Sequence, residues 1–153
     1  MARSYSVVFD NIAAQNSTTV PQAQLVATAA VRPKLYDLML GSPSTPSDQA
    51  ASWVLRRSTT ASTGGTAVTP APIDPGDPVS ITTAMIAPSM SAPTLTAGAT
   101  LLQWAQNLRA TFRWVAAPGK EIVAPATAAN GLTLLNSVLT GAFNVSGVLE
   151  FEE

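Results

Sequence analysis

Cysteine and histidine are both absent from the 153 residues. Without cysteine there is no disulfide framework, no thiol nucleophile and no thiolate metal site. The lack of histidine removes the usual acid/base of neutral pH and the commonest metal ligand. Charge is scarce as well. Charged residues make up 11% of the chain, against about 25% in an average soluble domain. The net charge is −1, and Arg56-Arg57 is the only adjacent basic pair. A nucleic-acid partner would need a patch of cations to replace counterions, so none is expected. No apolar run approaches the roughly 18 residues of a membrane-spanning helix, and no membrane partner is expected. The opening residues, MARSYSVVFDN, lack the apolar stretch of a signal peptide, so synthesis in a cytoplasm is expected. The chain has no G-x-G-x-x-G and no P-loop, and Gly119-Lys120 lacks an upstream glycine frame. No cofactor, metal or small-molecule ligand is expected.

Apolar residues are plentiful. They account for 46% of the chain, and the mean hydropathy is +0.23. A chain of this length suits one domain, residues 1–153, with a core that needs no crosslinks. With so little charge, much of the surface must be Ser, Thr, Ala, Asn and Gln. Such a surface is cheap to desolvate against a neighbour, which favours an assembling protein.

The apolar pattern has period two. Phe143, Val145, Gly147, Leu149 and Phe151 alternate with more polar residues at the C-terminal end, and Tyr5, Val7 and Phe9 do so near the start. Each run reads as a strand with one buried face. Gly147 marks a bulge or a close backbone approach. Further short runs cover 24–31, 34–41, 52–59, 79–86, 110–116, 120–126 and 131–138. In the run 110–116, Phe112 and Trp114 share one face and Arg113 takes the other. Residues 100–112 fit a helix through Leu101, Trp104 and Leu108. They also fit a strand ending near Gln106, a turn at Asn107 and a second strand, and the all-β setting favours the strands. Turn signals between about nine short runs predict an antiparallel β-sandwich rather than βαβ units. Residues 58–78 and 87–99 read as long loops.

The segment 63–78, TGGTAVTPAPIDPGDP, holds four prolines, three glycines and two aspartates. Proline fixes φ and removes a donor, so this stretch reads as a stiff extended arm. A stiff arm orders at low entropic cost against a neighbour. Val68, Pro70, Pro72 and Ile73 are its candidate anchors on a partner, and folding back over its own sandwich is the alternative. Asp74 and Asp77 are the one suggestive carboxylate pair in a loop. Their place around "PGDP" fits turn chemistry better than catalysis or calcium binding. Glu150, Glu152 and Glu153 form an acidic end, read as a solvated strand edge or a salt contact to a partner. Most aromatic residues fall on buried faces, with Trp53 and Trp104 the candidates for exposure. Arg56, Arg109 and Arg113 lie on outward faces, where they are free for intersubunit pairs or are simply solvated.

In order along the chain, WVLRRST (53–59), GGTAVTPAPIDPGDP (64–78), WVAAPGKEIVAP (114–125) and FNVSGVLEFEE (143–153) resemble a family of small tailed-bacteriophage virion structural proteins. Its relatives include capsid decoration, or cement, proteins. The matching segments cover about a third of the chain. The departures are a longer apolar middle, 79–105, and fewer charges. The resemblance implies a jelly-roll-like sandwich, trimeric on the outer surface of the head. It further implies the major capsid protein and other copies of itself as partners, with no catalytic residues.

Three other readings stay open at this stage. One is a tail or baseplate-associated structural protein. The second is a carbohydrate-binding jelly roll using Trp53 or Trp104. The third is a glycosidase, which would need two carboxylates facing across a cleft.

Overall fold

The structure is a computed structural model that describes residues 2–43, 46–139 and 141–153. Twelve strands are present among the described residues: β1 (Ser4–Ala13), β2 (Ala23–Val26), β3 (Lys34–Gly41), β4 (Ala50–Ser58), β5 (Thr66–Val68), β6 (Ala71–Pro72), β7 (Thr83–Ile86), β8 (Leu95–Asn107), β9 (Phe112–Val115), β10 (Ile122–Val123), β11 (Gly131–Leu139) and β12 (Asn144–Glu152). All pairings are antiparallel. One sheet runs β10-β3-β12-β1-β6, with β9 on the same edge of β3 as β10. The other runs β5-β7-β2-β11-β4-β8.

The eight principal strands form the orders β1-β12-β3-β9 and β2-β11-β4-β8. First pairs with last, second with second-last, and successive strands alternate between sheets except at β4 and β8, which pair within one sheet. That is the jelly-roll arrangement of a doubled-over hairpin, so the β-sandwich expectation holds.

The alternation explains the core. Tyr5, Val7 and Phe9 of β1, Leu35, Leu38 and Leu40 of β3, and Val145, Leu149 and Phe151 of β12 are buried from one sheet. Trp53, Leu55, Leu132, Leu134 and Leu25 meet them from the other. Tyr5 stacks on Phe151 at 5.7 Å, and Trp53 meets Phe143 edge-on at 6.4 Å. Each such side chain contributes about 1.5–3 kcal/mol by leaving water. Gly147 marks a close approach: a Cβ there would lie 2.5 Å from Phe9 Cζ and 2.6 Å from Leu40 Cδ2.

Residues 100–112 are strand, turn and the start of a strand. β8 ends at Asn107, and Ala110 N–H donates to Asn107 O at 2.9 Å across the turn. Some boundaries differ from the sequence pattern. The final part of 87–99 is not loop, because β8 begins at Leu95, where Ser58 of β4 supplies a partner. Pairing overrides the turn-like composition there. Conversely, residues 79–82 are not strand; their backbone leads from the arm and bonds the Glu153 carboxylate. The run 24–31 stays in strand only to Val26, after which Thr28 closes a turn onto Val31.

Gln24 is buried where the arm leaves the body. Its amide donates to Ser58 Oγ at 2.8 Å, Thr60 O at 3.1 Å and Thr133 Oγ1 at 3.2 Å. Its carbonyl oxygen accepts from Ser62 N–H at 2.7 Å. The whole amide is satisfied, and the root of the arm is fixed to both β2 and β4.

Candidate functional site

The arm straps the two sheets of its own sandwich together. Thr66–Val68 pair with β7 in one sheet, and Ala71 and Pro72 pair with Ser6 and Tyr5 of β1 in the other. Ile73 N–H then donates to Ser4 O at 2.9 Å. Tyr5 Oη donates to Pro78 O at 3.1 Å, and burial pushes this phenol above its ordinary range. The prolines suit this path, because Pro72 sits on an outermost strand, where a missing N–H costs no ladder bond. Of the four proposed anchors, Pro70 is buried and Val68 is half-buried against the core, so their apolar surface is spent internally. Pro72 is held in pairing. Ile73 alone among them is largely exposed, at 51%.

Asp74 and Asp77 occupy a turn. Asp74 Oδ1 accepts from Gly76 N–H at 2.8 Å, and Asp77 N–H donates to Asp74 O at 3.0 Å. Asp77 also lies 3.6 Å from Arg3 Nε. Among the described residues no three metal-ligating side chains gather.

Glu153 differs from the solvated acidic end expected of it. Its carboxylate accepts from Ser80 Oγ at 2.9 Å, Thr82 N–H at 3.0 Å and Ile81 N–H at 3.1 Å. Desolvation pushes this carboxyl upward, but the donors from Thr82, Ile81 and Ser80 together outweigh it and hold the group below the usual range. The sequence gives no sign of this clamp, since the donors are mostly backbone.

Trp53 is fully buried in the core. It offers no surface to a partner or a sugar, a correction that follows from its inward position opposite Asn136 on β11. Trp104 is half-buried and stacks on Phe112 at 4.2 Å, closing one side of the sandwich. Arg56 Nη2 donates to Thr96 O at 3.3 Å. Arg109 is exposed in the turn after β8. Arg113 Nε donates to both oxygens of Asp37 at 3.1 Å, a cross-strand fork on the outer face of the first sheet. The three arginines therefore do not form one cluster bonded together; two are engaged within the chain.

Two groups of exposed apolar side chains stand out. Ile73, Val79 and Ile81 are 50–66% exposed. Backbone bonds from Ile73 to Ser4 and from Ile81 to Glu153 set them around the Arg3–Glu153 end of the first sheet. On the outer face of that sheet, Val8, Val148, Met39 and Arg113 are successive cross-strand neighbours. Val8, Met39 and Val148 line a shallow cavity of about 370 Å³ with Gly147, Pro43 and Thr111. Sequence reasoning had found only Ile73 of these. Exposure of Val79 and Ile81 follows from a stretch that never enters a sheet.

No protein-family model, curated protein or solved structure matches the chain.

Proposed function

We propose that this chain is a bacteriophage virion structural protein that decorates the outside of the head shell and bridges neighbouring capsid subunits. The reading starts from the resemblance in 53–78, 114–125 and 143–153. The observation that carries it furthest is the set of Ile73, Val79 and Ile81. Three large apolar side chains are exposed within nine residues, on a segment hydrogen-bonded to Ser4, Tyr5 and Glu153 at the end of the first sheet. Scattered exposed apolar residues are ordinary, whereas a clustered set marks a contact surface. Because the strap is already ordered, docking would not have to pay for ordering it.

In this reading the action is mechanical. A rigid jelly roll with a charge-poor surface lies across a joint between capsid subunits and buries area there. Repetition over many equivalent joints makes the total gain large even when each contact is modest. The partners are the major capsid protein and further copies of this chain, and the location is the outer capsid surface. Fold by itself does not choose this function, since jelly rolls also serve as sugar-binding and other modules. With Trp53 buried, the sugar-binding reading loses its leading side chain.

The test is immunogold labelling of particles from lysates that carry this gene, with antibody to the purified protein. Label over the heads is the expected result. Label confined to tails would replace the head reading with a tail or baseplate role, and unlabelled particles would overturn both. In co-sedimentation with emptied heads, Ile73→Asp should weaken binding at least tenfold while leaving the fold intact.

A further inference from the structure

The sandwich has four lateral edges, and three of them are blunted. β6 has two residues and ends in Pro72; β5 has three. The β9/β10 edge offers strands of four and two residues, with Arg113 on the longer one. Short length, proline and charge are the usual means by which an edge is kept from pairing with another chain. β8 has none of these three, and the bulges that interrupt its register against β4 are confined to the stretch from Leu95 to Leu102. It runs for 13 residues, LTAGATLLQWAQN, without a charge or a proline, and it is the terminal strand of its sheet.

The ladder shows which backbone groups are free. From Leu102 to Asn107 the register against β4 is regular, pairing Leu102 with Leu55 and Asn107 with Ala50. Leu108 N–H donates to Gln49 O at 2.9 Å, continuing that register. Antiparallel bonding alternates along a strand. Gln106, Trp104 and Leu102 therefore bond inward to β4, Gln103 and Ala105 turn their N–H and C=O groups off the edge, and the Asn107 C=O is taken by Ala110 N–H. Beside this row, Leu102 and Trp104 of β8 and Phe112 and Trp114 of β9 are half-buried against the core.

We propose that the β8 edge pairs with the β8 edge of a second copy of this chain, antiparallel and about a two-fold axis near Gln103–Ala105. The absence of charge selects this occupant. A two-fold contact sets each side chain near its own equivalents, so any charge on the edge would meet its like, and here there is none. Pairing satisfies the outward backbone groups, continues the six-stranded sheet across both copies and covers the half-buried aromatic side. The contact does not depend on the phage reading. It differs from the trimer which the resemblance implies, because an isologous edge contact closes at two copies.

The experiment is light scattering after gel filtration on the purified full chain, without capsids. The expected mass is twice the 15.8 kDa of the chain. Gln103→Pro removes an outward N–H, leaves the β4 ladder intact and obstructs an incoming strand, so it should elute as a monomer with an unchanged β-type circular dichroism spectrum. Ala105→Lys sets two like charges near the axis, on a side chain that is exposed. It should weaken the dimer at least tenfold, and it keeps the test valid should the proline variant fail to fold. A wild-type monomer at about 100 μM, a trimer, or an assembly whose mass ignores Ala105→Lys would each overturn the proposal.

Discussion

Glu153 Oε2 accepts a hydrogen bond from Thr82 N–H at 3.0 Å, joining the end of one sheet to the segment that leads into the other. Glu153 is also paired to Arg3 through both backbone groups, at 3.2 and 3.0 Å. One residue thus holds the end of β12, the start of β1 and the exit of the arm. Glu153→Gln removes the charge and places an N–H₂ group among donors. The expected loss is about 1–2 kcal/mol at pH 7, the scale of charge-assisted bonds in a half-exposed setting.

The same carboxylate gives a pH dependence. Its folded-state affinity for protons is lowered, so its contribution is complete above the unfolded carboxyl range, about pH 4.3. That contribution disappears as the pH falls through the lower folded value. The difference in melting temperature between wild type and Glu153→Gln should therefore narrow from pH 7 to pH 3. A gap of constant size across that range would show that the charge is not what stabilises the clamp.

Gly147 is the tightest point between β12, β1 and β3. A methyl group there meets Phe9 Cζ, Leu40 Cδ2 and, at 2.9 Å, the Met39 carbonyl oxygen. Gly147→Ala should cost about 1–3 kcal/mol by overpacking, and Phe9→Leu should recover part of that loss in the double variant. Gly131→Ala should be worse, because its Cβ would press on the Leu25 carbonyl oxygen, which belongs to a paired strand and cannot rotate away.

Gln24 anchors the root of the arm through four hydrogen bonds in a fully buried setting. Gln24→Leu keeps the volume and strands Ser62 N–H, while the Thr133 hydroxyl keeps its bond to Ser58 Oγ at 3.0 Å. Leaving that buried donor unmet costs about 1–3 kcal/mol. Chemical denaturation should show that loss, and proteolysis should show earlier cleavage near residues 59–63 than in the wild type.

Arg113 reaches across to Asp37, whose side chain is only 10% exposed. Arg113→Ala leaves that carboxylate nearly buried without its partner, whereas Asp37→Asn removes the charge that needs one. Melting temperatures should therefore fall further for Arg113→Ala than for Asp37→Asn, and the double variant should resemble the milder single one.

Period-two alternation was enough to read the sandwich from the residues alone. Tyr5, Val7, Phe9, Val145, Leu149 and Phe151 face inward because a strand turns successive side chains to opposite faces, and only one face here is apolar. The break at Asn107 was legible for the same reason: the pattern stops where a turn residue begins. The absence of histidine and cysteine restricted the chemistry before any fold was known. Tertiary structure decided the rest. Trp53 lies inside because β4 turns it, with Leu55, to the face that packs against the other sheet, and local sequence does not show which face that is. The arm folds onto its own sheets because Val68 and Pro70 find core to cover, a contact between residues far apart in the chain. Glu153 is clamped by backbone donors, which no side-chain pattern reveals. The bare edge of β8 exists because the topology makes β8 the last strand of its sheet; the same uncharged residues in a central strand would have left no backbone group free.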